Sequence, residues 1–284
     1  MVDSWENDPQ YQNVDDALQK WRQGDCVLGE QWFMHRFDRE LPLTEESAAV
    51  AGEDIDITES EVRGLVVLTQ TCDIVRKSVE RPFIEVAPIV EVTEPVAHDI
   101  ERGRRPMYAV IPALRNRRLV TDLDRTMTVE KSVVAKWTRT EGCRTDDEMR
   151  RFSLALARKR ARCAFPDDFT EFATKLQSRL GEKHDRQSDE GRALRALHEI
   201  RVRAAPSWNA LEIELTFWFI REEDEIDFRG QGWESWLDVW LQLIPPSGRF
   251  RQVEGFVAAL EDLTAKDYVE SDPLDLDYLS TRGE

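Results

Sequence analysis

Hydrophobic positions change period twice along the chain: short β-branched runs between residues 23 and 135, three- and four-residue spacing from Thr145, and alternation again from Ile200. The densest run is residues 65–68, four apolar side chains after Gly64, short enough for a strand buried on both faces. It is predicted as the central strand. After a turn at 23–25, residues 26–28 and 31–37 are predicted to pair as a hairpin, and 15–21 to form a helix with Ala17, Leu18 and Trp21 on one face. Residues 39–61 carry many carboxylates among few large apolar residues, a loop pattern. Residues 83–92, with Pro88 in their middle, predict an edge strand or two strands broken by a bulge. Further strands are expected at 107–111, 118–123 and 126–134, with a basic turn at 115–117.

Helical spacing is announced by Thr145-Asp146-Asp147-Glu148, a capping box in which hydroxyl and carboxylate each satisfy a free backbone N–H. The helix should reach Cys163, burying Met149, Phe152 and Leu156. Pro166 opens a second helix expected to stop at Gly181, and a third should span 188–198. Alternation at 200–204 and 211–219 predicts two strands; Trp233, Trp236, Leu237 and Trp240 step along one side of a further helix, and 250–257 predict a last strand. The fold class is therefore α+β: a bent sheet or partial barrel, a helical middle, and a smaller C-terminal sheet with a Trp-rich helix. The expected divisions are a polar segment 1–22, a β-rich domain 23–140, and a helical and α+β domain 141–284.

Composition limits the classes. With 41% hydrophobic and 33% charged residues the chain is globular, and no apolar run approaches a membrane span, so a cytoplasmic protein is expected. Cys26, Cys72, Cys143 and Cys163, like the four histidines, are scattered without metal-ligand spacing, so no metal or cofactor is expected. The net charge of −17 is unevenly spread: residues 1–60 hold 15 acidic and 4 basic side chains, residues 206–284 hold 18 and 6, and residues 101–165 hold 8 and 17. A basic band on an acidic body attracts an anionic partner or pairs with its own acidic ends.

Two constellations carry chemistry. Thr69-Gln70-Thr71-Cys72-Asp73 sets five polar side chains at the end of the central strand; Cys72 is a candidate nucleophile, with Asp73 to orient a histidine. The alternative is a buried thiol followed by a turn-forming aspartate. Arg151, Arg158 and Arg162 fall on one line of the first long helix and could meet a partner's phosphates or carboxylates, or form a salt-bridged solvated face. The tryptophans of the C-terminal helix have the spacing of core residues before that of a binding platform.

The strand running into Thr69-Gln70-Thr71-Cys72-Asp73 resembles a bacterial protein group with a strand followed by Thr/Ser-Gln-x-Cys-Asp. Gly24-Asp25 before a strand, and Glu101-Arg102-Gly103-Arg104-Arg105-Pro106 before Tyr108-Ala109-Val110-Ile111, resemble the MazF/PemK toxin barrels. That likeness implies an SH3-like partial barrel, ribonuclease activity and a catalytic Arg105; in such toxins the two pieces lie close together, whereas here the central strand intervenes. The functional expectation is an accessory protein of a bacterial conflict, toxin–antitoxin or phage-defence system, binding a protein partner or nucleic acid through Arg104, Arg151, Arg158 and Arg162. The alternative is an enzyme, either an RNase-like toxin using Arg105 or a cysteine-dependent enzyme centred on Cys72 and Asp73.

Overall fold

In the computed structural model, which describes residues 9–101, 105–161, 164–221 and 232–274, the chain divides into two units, residues 1–160 and 161–284. Helix α1 (Pro9–Leu18) belongs to the first, where Leu18 and Trp21 are buried with Val67, Ile74 and Ile84. Strand β1 (Cys26–Arg36) follows. Helix α2 (Glu45–Val50), capped by Thr44, leads into strand β2 (Ile57–Val67), which pairs antiparallel with β1 from Cys26↔Val66 to Arg36↔Ile57.

Two expectations are corrected here. Residues 26–28 and 31–37 are one strand rather than a hairpin, because Gly29, at φ +106°, forms a bulge that bends β1 without reversing it. The acid-rich stretch 39–61 is only in part a loop: 39–44 and 51–56 are turns on either side of α2, but from Ile57 it is strand, with Thr58 and Val62 buried while Ile57, Glu59 and Glu61 face outward, a period-two pattern with its carboxylates on the wet face. Gly64, at φ +151°, holds β2 close to β1, and a Cβ there would come within 2.3 Å of the Val27 carbonyl oxygen.

The unit continues through α3 (Thr71–Ile74), β3 (Phe83–Glu91), α4 (Glu94–Glu101), β4 (Tyr108–Val110), a 3₁₀ turn (Pro112–Arg117), β5 (Leu119–Asp122), β6 (Met127–Glu130), α5 (Lys131–Val134) and α6 (Asp146–Ala161). The sheet order is β1-β2-β3-β5-β4, with β6 also on β3, so β2 is an inner strand as expected. β3 is inner too, where an edge strand or a broken pair was expected. It pairs with β6 over Phe83–Val86 and with β5 over Ile89–Glu91, and Pro88 falls at the change of partner, where its missing N–H costs no ladder bond. β6 approaches β1 through the Met34 N–H donating to Met127 Sδ at 3.5 Å, but the sheet bends without closing into a barrel. Helix α6 begins with the expected capping box, the Glu148 N–H reaching Thr145 Oγ1 at 3.2 Å and Thr145 N–H reaching Glu148 Oε2 at 3.3 Å. It packs Phe152 against Cys26, Ile111 and Cys143, which places this helix with the first unit.

The second unit holds α7 (Asp167–His184), α8 (Asp189–Arg195), β7 (Leu197–Ala205), β8 (Ile213–Arg221), α9 (Trp233–Leu241), β9 (Phe250–Ala259), α10 (Ala265–Val269) and β10 (Asp272–Pro273). Gly181 lies inside α7 rather than ending it, and Leu197 and His198 begin a strand rather than ending a helix. The sheet order is β10-β7-β8-β9, with β8 and β9 parallel. A parallel pair needs a crossover, and α9 lies in that connection, burying Leu237 and Trp240. The fully buried Trp240 stacks on Phe219 at 4.8 Å, so this helix is core first. Among the described residues no helix is long and apolar enough to cross a membrane.

Candidate functional site at the end of the inner strand

Backbone geometry at the end of β2 is fixed by side chains from distant segments. Thr69 Oγ1 accepts the Glu85 N–H at 2.7 Å, and Thr71 Oγ1 accepts the Gln23 N–H at 3.1 Å. The Gln23 side chain donates through Nε2 to the Leu68 carbonyl at 2.7 Å and accepts the Ser153 hydroxyl at 2.6 Å. Gln23 thus joins the strand end to α6. Lys131, 1% exposed, donates to the carbonyls of Asp73 and Arg76 and so caps the last turn of α3. Burial holds its ammonium below the ordinary lysine range, partly offset by the charges of Asp15 and Asp73.

Cys72 sits on the outer side of α3 and is exposed, where a buried thiol was the alternative reading. Its Sγ lies 3.7 Å from Gln70 Oε1, and Asp73 faces Arg76 at 3.5 Å; neither contact involves a histidine. Cys26 and Cys143 are buried, and burial, with Asp25 nearby, pushes each thiol up to about 12. They are packing residues. Arg105 pairs with Asp99 at 3.5 Å ahead of β4. β4 is three strand spacings from β2, about 14 Å along the sheet, so the fold sets Arg105 and Cys72 apart.

Much of the basic band is engaged by the protein's own carboxylates. Arg115 binds Glu101, Arg125 binds Asp122 at 2.8 Å, Lys159 binds Asp124 and Arg160 binds Glu85. Asp25, 1% exposed, accepts from Arg139 Nε at 2.6 Å and from the Arg22 N–H at 2.7 Å. On the outward face of α6, Arg150 is exposed and makes no ion pair among the described residues, Arg151 pairs with Asp147 at 3.0 Å while remaining 78% exposed, and the half-buried Arg158 lies two turns on. Leu154 stands among them, 66% exposed. Arg104 and Arg162 lie outside the described residues.

The spacing of Arg151 and Arg158 marks this face in the sequence, and Arg150 falls in the same basic remainder of the helix, but Leu154 carries no such mark. Its signal is the remainder of the helix once the buried Phe152 and the half-buried Met149 and Leu156 are removed. Gln23, Ser153 and Lys131 had no local signal, because their partners lie 45 to 130 residues away. Among the described residues no three His, Cys, Asp or Glu side chains converge as metal ligands. The chain matches no family model, no curated protein and no solved structure.

Proposed function

We propose that this chain is a binding protein that docks an acidic patch of a protein partner on the outward face of α6. The observation that carries the reading is Leu154, exposed at the centre of Arg150, Arg151 and Arg158. An apolar centre inside a polar rim is the anatomy of a protein interface. Burying a leucine contributes about 1.5–3 kcal/mol, enough to anchor a contact that the surrounding charges orient. The Arg151–Asp147 pair opposes this little, since exposed i,i+4 pairs contribute only about 0.3–0.5 kcal/mol. Nucleic acid is the less favoured partner: a phosphate backbone has no use for Leu154, and a chain of net charge −17 repels a long polyanion.

The test places a photo-crosslinking residue at position 154 of the full chain in its native host, with a control at the still more exposed Leu211. One partner is expected at 154 and not at 211, with the crosslink lost in Arg150→Glu/Arg151→Glu and weakened by salt. Equal yields at both positions would sink the proposal. Retention of single-stranded or duplex DNA that falls steeply with salt and vanishes in the same variant would replace it with the nucleic-acid reading.

A further inference from the structure

The ribbon formed by β1 and β2 carries an apolar group on its outer face. β2 pairs with β3 over Leu65–Val67, so from Ile57 to Val62 its partner among the described strands is β1 alone. The register sets Trp32 opposite Glu61, Met34 opposite Glu59 and Arg36 opposite Ile57, and residues directly opposite point to the same side of a sheet. Phe33, Thr58 and Val62, which alternate with them, are buried on the other side. Trp32, Met34 and Ile57 stay 45%, 49% and 48% exposed. Single exposed apolar residues are ordinary, but adjacent ones form a patch, and Trp and Met are enriched at interfaces.

The charges round this patch select what covers it. Glu59 and Glu61 are exposed and make no ion pair among the described residues, while Arg36 on the same face is bound to Asp56. The patch is therefore acidic round an apolar centre. That is the inverse of the outward face of α6, where Leu154 stands among Arg150, Arg151 and Arg158. The two faces also match in length: Arg150 to Arg158 rise about 12 Å along a helix, and Ile57 to Glu61 about 13 Å along a strand.

We propose that the outer face of the β1–β2 ribbon receives α6 of a second copy of this chain, Leu154 seating against Trp32 and Met34 while the arginines meet Glu59 and Glu61. This rests on the reading of α6 as a docking face and names the acidic patch that it meets. Two different surfaces of the chain come together, so the contact is heterologous. Each copy carries a net charge of −17, and whole molecules repel; at physiological salt a Debye length of about 8 Å screens the charges away from the contact, where opposite signs face each other. The result is a weak association, with a Kd of about 10–100 µM.

Sedimentation equilibrium of the purified full chain, from about tenfold below that Kd to about tenfold above it, tests this with two charge-reversed variants, Glu59→Arg/Glu61→Arg and Arg150→Glu/Arg151→Glu. Wild type should self-associate and each variant alone should be monomeric. An equimolar mixture of the variants should associate again, because the basic α6 of the first meets the acidic ribbon of the second. Trp32→Ala should weaken wild-type association about tenfold or more. The substituted side chains are exposed, and recovery in the mixture itself requires folded chains. A monomeric wild type would overturn the proposal, as would association that survives in either charge-reversed variant, is not recovered in their mixture, or is unchanged in Trp32→Ala. If the chain is monomeric while crosslinking at position 154 captures a different protein in the host, the ribbon loses this role and α6 keeps its own; if no crosslink forms either, both fall.

Discussion

Ser153 on α6 donates its hydroxyl to Gln23 at 2.6 Å across 130 residues of chain, and Gln23 passes the connection to the Leu68 carbonyl at 2.7 Å. The end of the inner strand is therefore held from the side by a helix whose other face is open. A short polar bridge of this kind determines how firmly α3, and with it Cys72, is positioned.

Ser153→Ala and Gln23→Ala should each cost about 1 kcal/mol, the net worth of a typical buried hydrogen bond. Gln23→Ala should cost the more, since it also leaves the Leu68 carbonyl without its donor. The two changes should be less than additive by about 0.5 kcal/mol or more, because they share one bond. Urea unfolding of the single and double variants measures this, and amide exchange at residues 69–74 should accelerate in all three. Strict additivity would mean that the bridge is not a unit.

How much of this was legible in advance depended on the range of the interactions. The capping box at Thr145 and Glu148 and the core spacing of Trp240 are local patterns, and both appear as expected. Ile57 to Val62 are equally local, yet the alternation was hidden because the outward positions are carboxylates and the buried ones include Thr58. Gly29 and Gly181 show that a glycine does not announce its role. The first sits at φ +106° in a bulge that keeps the strand going, and the second passes through α7 because tertiary packing of Leu176 and Leu180 outweighs its propensity cost of about 1 kcal/mol. At the candidate site, the polar run 69–73 could be seen, whereas Gln23, Ser153 and Lys131 reach it only through the fold.

Lys131 gives a pH dependence of definite sign. Its native pKa is lowered by burial, so between that value and the ordinary 10.5 the unfolded chain binds the proton that the native chain has lost, and this group makes stability rise with pH. Lys131→Met removes both the ammonium and its two bonds to carbonyls. At neutral pH the loss should be about 1–3 kcal/mol, because the bonds are charge-assisted but the desolvation cost of the ammonium goes with them. Towards pH 10.5 the native amine is neutral and still donates, so the gap between wild type and variant should widen. Chemical denaturation midpoints at a series of alkaline pH values check this. A gap that narrows would place the charge, rather than the hydrogen bonds, as the stabilising element.

Cys72, Cys26 and Cys143 should separate cleanly by reactivity, since the thiolate is the nucleophile. Burial raises the two inner thiols from 9.0 to about 12, which at about pH 8 lowers their thiolate fraction roughly a thousandfold, and their packing around Phe152 blocks approach as well. Cys72 is open to solvent with Gln70 as its contact. Iodoacetamide on the folded chain in a Cys163→Ser background should therefore modify Cys72 within minutes and leave Cys26 and Cys143 intact until urea unfolds the first unit. Peptide mapping by mass spectrometry gives the three rates separately. Early modification of Cys26 or Cys143 would show that the β1–α6 core opens on the same timescale, and slow modification of Cys72 would show that α3 is covered in solution.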